Sequence, residues 1–302
     1  MGTGYSFSLF NPERQATYFA VSALDQGGFG SVWSAYTEWG QRVAIKVIKR
    51  TADFNQDYSS WFTDQWVHLQ CWHNQQVVRT FDQFVSQEGH LVIVMELGGG
   101  SLHSLLGPGR SWSDKSICAI GAQILYALND IHARDVIHRD VTLKNIIWFP
   151  GGIFKLCDFG ISKQQVHPGE YARTFIGHKS YIPPELISEG YTTHQSDIYQ
   201  LGLVLLALMT GRHPIPENLS VPFTRSMILA GTPRQLAESL IPSRGQTARI
   251  VATMLRRRDA FRYKTAADVM ADFTEEFKRL ENIERLAGRF LLPNQQTMRR
   301  PL

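Results

Sequence analysis

The sequence has few cysteines and lacks a long apolar run. Its three cysteines, Cys71, Cys118 and Cys157, are widely spaced and odd in number, so they offer neither a disulfide framework nor a metal-ligand spacing. A chain without a disulfide framework is typical of a reducing compartment. The longest apolar run, 201–209, is far shorter than a helix that spans a bilayer. We therefore expect an intracellular, cytoplasmic protein with no integral membrane segment.

A secretory signal is missing as well, because the N-terminus has neither a basic region nor a long apolar core. Gly2 together with Ser6 fits the pattern for N-myristoylation. Stable membrane attachment needs a second anchor, and no cysteine or basic cluster lies nearby to supply one. We expect an unmodified N-terminus.

The charges are close to balanced. The chain of 302 residues has a formal net charge of +4, and no basic block of the length found in nucleic-acid-binding segments occurs. We therefore expect no nucleic-acid partner. Hydrophobic residues make up 43% and charged residues 19%, which is typical of an ordered globular protein. A chain of this length ordinarily divides into two domains or lobes.

The first third of the chain has the pattern of strands. Aromatic and β-branched residues cluster in four segments, and glycines turn the chain between the first two. A polar, Trp-rich segment at 59–72 has helical spacing instead. The predicted strands are 18–24, 32–36, 43–48 and 91–95.

Glycines at 98–100 then interrupt the strand pattern as a hinge would, and helical periodicity follows. Ser111 or Ser113 is placed to cap the first helix. Segment 198–209 is apolar nearly all round, which predicts a helix at the centre of a helical lobe. Segment 265–290 holds one or two further amphipathic helices. The apolar stripe of the first helix consists of Ile117, Ile120, Ile124, Leu128 and Ile131.

The most informative segments are 137–145, with the sequence IHRDVTLKN, and 156–160, with the sequence LCDFG. Asp140 and Asn145 stand five residues apart, and Asp158 precedes a Phe-Gly turn. In metal-dependent phosphoryl transfer one carboxylate orients the acceptor hydroxyl, while an amide and a second carboxylate hold the cations that neutralise the phosphoryl oxygens. The two segments supply all three groups in order.

These segments resemble the catalytic loop and the metal-binding loop of the protein kinase family. Upstream, 24–32 (LDQGGFGSV) resembles the Gly-rich loop, and 43–46 (VAIK) resembles the strand that carries a phosphate-binding lysine. The resemblance covers residues 18–275. It implies an α+β, bilobal protein kinase fold, with an antiparallel sheet plus one helix in the N-lobe and a mainly helical C-lobe. The implied parts are an N-terminal extension 1–17, an N-lobe 18–95, a hinge 96–100, a C-lobe 101–275 and a C-terminal helical extension 276–302.

The resemblance implies ATP as the nucleotide and Mg²⁺ as the metal, with Mn²⁺ as an option. Lys46 would contact the phosphates, and Met95 would lie at the back of the adenine pocket. Backbone groups of Glu96 and Gly98 would serve as hydrogen-bond acceptor and donor to the adenine. Asn145 and Asp158 would hold the metal. The residues assigned to the nucleotide site are Gly27, Gly28, Phe29, Gly30, Val32, Ala44, Lys46, Met95, Glu96, Gly98, Asn145 and Asp158.

On the catalytic side, the resemblance makes Asp140 the catalytic base or the acceptor-orienting group. Many Ser/Thr kinases have a lysine two residues later, but here that position is Thr142. The cation follows at Lys144, where the tyrosine-specific branch often has a basic residue, and we assign Lys144 to catalysis with Lys46 and Asp140. His178 replaces the threonine of the family's Gly-Thr pair.

Two departures concern the phosphate end of the site. Asp25 replaces the first glycine of the Gly-rich pattern. Gln65 stands where the family has the glutamate that pairs with Lys46, and a glutamine cannot form that ion pair. Asp57 and Asp64 are alternative partners. Gln65 is therefore assigned a regulatory position.

Further family positions favour a protein substrate and regulation by phosphorylation. Asp197 would brace the catalytic loop, and Glu185 would pair with Arg262 in the peptide-docking part of the fold. Small-molecule kinases that share the catalytic core typically lack this part. Arg139 would clamp a phosphate on Thr174 of the activation segment, since pairing between a phosphate and an arginine orders such loops.

The leading hypothesis is a protein kinase that transfers the γ-phosphoryl group of ATP to Ser or Thr residues of protein substrates. Dual specificity is an alternative within this hypothesis. Asp25 and Gln65 leave a pseudokinase, which would act as a nucleotide-binding or scaffolding module, as the alternative. A small-molecule phosphotransferase is a third reading.

Overall fold

The computed structural model describes residues 5–27, 30–48, 74–158, 163–164 and 178–291. Contacts divide the chain into two units. The first consists of Met1–Gly100 with Ile147–Gly152, and the second of Ser101–Ile146 with Ile153–Leu302. The chain thus passes from one unit to the other directly after the three consecutive glycines.

The first unit is built on an antiparallel sheet of six strands in the order β1-β2-β3-β4-β6-β5. The four strands that the sequence pattern predicts are present as β2, β3, β4 and β6. The short edge strands β1 and β5 were not predicted. The bounds are β1 (Phe7–Asn11), β2 (Ala16–Gly27), β3 (Gly30–Thr37), β4 (Arg42–Ile48), β5 (Thr80–Val85) and β6 (Leu91–Glu96).

One face of this sheet carries the core of the unit. Along β4, Val43, Ile45 and Val47 are buried in that core, and the residues between them lie on the opposite face because side chains alternate along a strand. The core also contains Leu9, Tyr18, Ala35, Phe84, Val92 and Val94.

A buried carboxylate fastens β1 to the sheet. Asp82 is 2% exposed and accepts hydrogen bonds from Asn11 Nδ2 (2.7 Å) and from the Tyr18 hydroxyl (2.6 Å). Arg14 Nε lies 3.1 Å from the same carboxylate. Burial and this hydrogen bond raise the pKa of Tyr18 well above its ordinary range, so the phenol remains a donor. The predicted N-terminal extension therefore contributes a strand that is tied into the sheet.

The second unit is mainly helical. Its helices are α1 (Leu102–Leu105), α2 (Asp114–His132), α3 (Pro184–Ser188), α4 (His194–Thr210), α5 (Val221–Leu229), α6 (Thr232–Ser239), α7 (Ile241–Met254) and α8 (Ala266–Leu291). The remaining short elements that the structure describes belong to either unit, and β7 and β9 lie at the boundary between the units in sequence. They are β7 (Gly100–Ser101), β8 (Val136–Ile137), β9 (Ile146–Phe149), β10 (Ile153–Leu156), β11 (Lys163–Gln164) and two 3-10 helices, Lys179–Tyr181 and Asp259–Phe261. Among the helices that the structure describes, none combines the length and the apolar character that crossing a bilayer needs.

Helix α4 lies at the centre of the second unit, as its apolar sequence predicts. Fourteen of its residues, from Ser196 to Met209, are buried. Thr193 caps the N-terminus in a capping box with Ser196, and the helix ends at Gly211 in the left-handed conformation, with a φ of 76°. A Cβ at Gly211 would also lie 2.7 Å from the Arg110 carbonyl oxygen, so glycine is required there twice over.

Helix α2 places its apolar stripe against this centre. Ser113 is its N-cap and accepts the N–H of Ser116 at 3.1 Å, so the cap is Ser113 and not Ser111. Gly121 lies on the buried side of α2, where an added Cβ would come within 3.0 Å of the Phe273 ring on α8. The close approach of these two helices therefore depends on the missing side chain.

Replacement of Gly121 by alanine tests this packing. Overpacking a tight core costs about 1–3 kcal/mol, whereas alanine gains roughly 1 kcal/mol over glycine inside a helix. Phe273 is fully buried, so a shift of its ring would disturb the surrounding core. We therefore expect Gly121→Ala to lower the free energy of unfolding by about 1 kcal/mol in chemical denaturation. Gly107→Ala is the control, because nothing lies within 4 Å of a Cβ there. A Gly121→Ala protein as stable as the wild type would show that α2 and α8 are packed less tightly.

Candidate active site

The residues predicted to contact the nucleotide share one face of the sheet in the first unit. In the strand register Val32 lies opposite Lys46, and Ala44 lies opposite Met95. Because directly opposed residues point to the same side and alternate residues of β4 do likewise, these four side chains lie on the face opposite the core. Lys46 is half-buried there, and Ala44 is buried. The register thus brings together an apolar surface and a cation.

The described part of the Gly-rich loop closes a hairpin. Gly27 pairs with Gly30, while Gly28 and Phe29 lie outside the described residues. Gly30 has a φ of 152°, and a Cβ on it would overlap the carbonyl oxygen of Val47, so only glycine fits. Asp25 is exposed and accepts the backbone N–H of Gln26 at 3.0 Å. Asp25 lies within β2, opposite Val32 and two residues before the Gly27–Gly30 pair.

The glycines at 98–100 allow close packing. A Cβ on Gly98 would overlap Ile147, and a Cβ on Gly99 would overlap the Trp148 ring. The Gly99 N–H donates to the Trp148 carbonyl at 2.9 Å. Strand β6 runs one residue past Met95, through Glu96, whose N–H donates to the Arg79 carbonyl at 2.9 Å.

In the second unit, the segment between β8 and β9 holds the predicted catalytic residues. Asp140 and Asn145 are both 9% exposed. Asn145 Nδ2 donates to the Asp140 carboxylate at 2.7 Å and to the Asp140 carbonyl at 2.9 Å. Thr142 and Lys144 lie on the backbone that this pair encloses, Thr142 buried and Lys144 half-buried. The five-residue spacing between Asp140 and Asn145 therefore corresponds to a loop that is closed by the hydrogen bonds between these two residues.

His138 joins this loop to the strand that precedes Asp158. Its Nε2 lies 3.1 Å from the Cys157 carbonyl, and its Nδ1 accepts the Asp140 N–H at 3.3 Å. The carbonyl requires a donor, so Nε2 carries the proton. Complete burial lowers the pKa of His138, which keeps the ring neutral. The Cys157 N–H also donates to the Asn145 carbonyl at 2.9 Å, and Asp158 has a φ of 66°.

A carboxylate from α4 holds the start of the loop. Asp197 is 0% exposed, and its two oxygens accept the N–H groups of His138 (2.9 Å) and Arg139 (2.7 Å). His132 Nε2 lies 2.8 Å from the same carboxylate. Burial alone would raise the pKa of Asp197, but the His132 hydrogen bond and the surrounding charges and amides outweigh burial and lower it.

The structure also brings Glu185 and Arg262 together, 77 residues apart in sequence. Two guanidinium nitrogens donate to the two carboxylate oxygens at 2.9 and 2.7 Å, and the Ser196 hydroxyl donates to the carboxylate at 2.6 Å. The guanidinium stacks on the Tyr199 ring at 4.8 Å. This bidentate, stacked geometry is specific to arginine.

Some predicted positions have no described geometry. Gln65, Thr174, Gly28 and Phe29 lie outside the described residues, as does the helix predicted at 59–72. Arg139 is described and has a φ of 70°.

Sequence reasoning missed two residues that help to position the catalytic loop. Gln200 bonds the loop backbone directly, and His132 lies 2.8 Å from the Asp197 carboxylate that holds the loop. For Gln200 a signal was available, because it is a polar residue in the otherwise apolar segment 198–209. A buried polar side chain in such a helix needs partners, and its partners mark a functional contact.

Asn145 and Asp158, both in the second unit, carry oxygen atoms of the kind that could hold a hard cation. The Asn145 Nδ2 hydrogen bonds to Asp140 leave the amide oxygen on the opposite side of the group. Within the described ranges no three His, Cys, Asp or Glu side chains form a metal cluster. A Mg²⁺ ion typically uses one or two carboxylates and completes its shell with phosphates and waters. One carboxylate, Asp158, and one amide oxygen, that of Asn145, would be enough for such a site.

Replacement of Asp197 by asparagine tests the hold on the loop. An asparagine side chain has only one acceptor oxygen, so a buried N–H loses its partner at a cost of about 1–3 kcal/mol. In the folded protein the pKa of Asp197 lies below its ordinary value of 3.8. The ionised Asp197 carboxylate therefore stabilises the fold above pH 3.8, and this stabilisation is lost as the pH falls below that value. We expect the melting temperatures of wild type and Asp197→Asn to differ most at neutral pH and to converge below about pH 4. A gap that is constant with pH would contradict this, and Asp130→Asn on α2 serves as the control.

The sequence also matches a known protein family and several curated relatives. The protein kinase domain matches residues 18–284. The chain is 31% identical over 215 residues to the probable serine/threonine-protein kinase zyg-1 of Caenorhabditis elegans, which is 68% of this chain and 29% of that protein. It is 32% identical over 201 residues to the MAP kinase kinase MKK1/SSP32 of Saccharomyces cerevisiae, covering 64% and 39% of the two chains.

The probable serine/threonine-protein kinase CPE1738 of Clostridium perfringens is 24% identical over 275 residues, 88% of this chain and 39% of that protein. This chain therefore spans two fifths or less of the length of these relatives. Because the family match extends through both the sheet-forming unit and the helical unit, the predicted bilobal α+β fold is confirmed, and the chain belongs to the protein kinase family.

Proposed function

We propose that this chain is an ATP-dependent protein kinase that transfers the γ-phosphoryl group to Ser or Thr residues of protein substrates. The observation that carries the proposal is the closed loop in which Asn145 Nδ2 binds the Asp140 carboxylate at 2.7 Å, with Asp158 following the paired strand. Family membership supports it, and so do the relatives, which are named serine/threonine-protein kinases or a MAP kinase kinase.

Residues of the first unit bind the nucleotide in this proposal. Val32, Ala44 and Met95 form an apolar surface for the adenine, and Lys46 on the same face meets the phosphates. Backbone groups of Glu96 and Gly98 supply the adenine's hydrogen bonds, and Gly27 and Gly30 lie beside the phosphates with Gly28 and Phe29.

Residues of the second unit carry out the transfer. Asp140 orients the acceptor hydroxyl and takes its proton, and Asn145 keeps the Asp140 carboxylate aimed through their hydrogen bond. Asn145 Oδ1 and Asp158 are the metal ligands, with Mg²⁺ as the proposed ion and Mn²⁺ as a substitute. A cation held there would supply positive charge to offset the charge on the phosphoryl oxygens. Lys144, on the loop beside Asn145, adds a positive charge near the transferred group.

The docking segment favours a protein acceptor. Glu185 and Arg262 hold the segment that follows His178 through a buried bidentate pair, and a fixed segment of this kind suits an extended peptide. The relative named as a MAP kinase kinase keeps dual specificity within the proposal. The same proposal includes regulation in which Arg139 binds a phosphate on Thr174. It also includes a modulating role for Gln65 and a cytoplasmic location.

Incubation of the purified protein with Mg²⁺-ATP and a panel of Ser, Thr and Tyr peptides tests the function. We expect phosphate on Ser or Thr, and Asp140→Asn should lower the rate by about 10²–10⁴ because the group that takes the proton is lost. Asp130→Asn, a half-buried surface exchange of the same type, should keep the wild-type rate.

The pseudokinase alternative predicts another result. A scaffold would bind nucleotide without transfer, so phosphate at equal levels in wild type and Asp140→Asn would remove the kinase proposal. The names of the relatives give that alternative no support. Transfer to a small molecule in preference to any peptide would favour the phosphotransferase reading.

A further inference from the structure

Gln200 is a polar residue on the most deeply buried helix of the second unit. It lies on α4, three residues after Asp197, and is 4% exposed. An amide buried at such a position costs free energy unless its oxygen and nitrogen both find hydrogen-bond partners. The partners of Gln200 among the described residues belong to two segments, the catalytic loop and the segment that follows His178.

Both ends of the Gln200 amide bind the backbone around Asp140. Oε1 accepts the Val141 N–H at 3.1 Å, and Nε2 donates to the Arg139 carbonyl at 2.8 Å. Asp197 already holds the amides of His138 and Arg139. Together the two α4 side chains fix the chain immediately before and immediately after the catalytic carboxylate.

Gln200 also reaches the acceptor-side segment. Its Nε2 donates to the Tyr181 carbonyl at 3.2 Å, and the buried Tyr181 hydroxyl accepts the Leu143 N–H at 3.3 Å. Tyr181 is therefore tied to the catalytic loop at its backbone and again at its side chain. His178, which precedes it, has its ring 6.3 Å from the Tyr181 ring.

Backbone strain makes these bonds consequential. Arg139 has a φ of 70°, a left-handed conformation that is unfavourable for a non-glycine residue and persists only when its surroundings impose it. The surroundings here are Asp197 on the Arg139 N–H and Gln200 on the Arg139 carbonyl. Without Gln200 the following peptide, which carries Asp140, is free to relax.

We propose that Gln200 is a positioning residue that fixes the Asp140 carboxylate relative to the acceptor-side segment at Tyr181. This inference rests on the proposed kinase function and assigns a role within it. Gln200 acts through the two backbones that it joins. It should therefore govern turnover and the use of the protein acceptor, and it should leave ATP affinity unchanged.

Gln200→Met tests the role, because methionine fills a similar volume without hydrogen-bonding groups of comparable strength. A displacement of the catalytic group by about 1 Å is enough for a rate loss near 10²-fold. We expect kcat for a peptide acceptor to fall at least about tenfold, with the KM for ATP within about twofold of wild type. Gln200→Glu should fall similarly, since it keeps an acceptor for Val141 but places an oxygen against two carbonyls.

Gln195→Met is the matched control. Gln195 lies on the same helix, and its Nε2 donates to two carbonyls, those of Asp259 (2.8 Å) and Tyr263 (3.0 Å), away from the catalytic loop. It should lower stability to a comparable degree and leave kcat unchanged. A Gln200→Met protein with wild-type kcat, or an equal loss in Gln195→Met, would overturn the proposal.

Hydrogen exchange separates this inference from the proposed function. In Gln200→Met, peptides covering 138–145 and 178–183 should both exchange faster than in Gln195→Met. If the wild type transfers no phosphate, the proposed kinase function is wrong. Separately, hydrogen exchange at these two segments that is unchanged in Gln200→Met would reject the positioning role of Gln200. If Gln200→Met does not fold, Tyr181→Phe removes the Leu143 link alone. An unchanged acceptor KM and kcat in that variant would also count against the coupling.

Discussion

The buried carboxylate of Asp197 is the interaction on which the rest of the catalytic unit depends. It lies in the first turn of α4, where the aligned backbone dipoles of the helix favour a negative charge. From there it holds two consecutive amides of the catalytic loop and a histidine of α2. Each buried amide left without a partner would cost about 1–3 kcal/mol. The loop is therefore most stable in the position in which both amides donate to the Asp197 carboxylate. Helix α4 thus forms the centre of the core and also positions the catalytic loop.

The loop has a conformation that it would not adopt alone. Arg139 and Asp158 both have positive φ values, and neither is a glycine. The hydrogen bonds of Asn145 to Asp140, of His138 to Cys157 and of Gln200 to Arg139 close the segment on all sides. Such over-determination is what keeps strained residues in place at active sites. The same bonds keep the carboxylate of Asp140 and the amide of Asn145 in a fixed relation, which phosphoryl transfer needs.

Periodicity in the sequence predicted the strongly patterned elements but missed helices α5, α6 and α7 and the contacts between distant residues. Helix α4 and strand β4 follow from dense apolar patterns. Strand β1 was not predicted, although it pairs with the neighbouring strand β2. Its link to β5, from Asn11 to Asp82 71 residues later, leaves no local pattern in the sequence. The motif gave Asp140, Asn145 and Asp158, whereas Gln200 carries no motif and shows its role only through its three partners. The assignments of Gln65 and Thr174 stay predictions, since they lie outside the described residues.

Nucleotide-dependent metal binding tests the central claim most directly. Titration of Mn²⁺ with a non-hydrolysable ATP analogue, followed by the electron paramagnetic resonance signal of the free ion, measures the metal held by the protein–nucleotide complex. We expect protein-dependent binding in wild type and in Asp130→Asn, and binding at least about tenfold weaker in Asp158→Asn and Asn145→Leu. The first change removes the negative charge of the carboxylate ligand, and the second removes the amide ligand. Equal Mn²⁺ binding in all four proteins would contradict the assignment of these residues and the phosphotransfer site built on them.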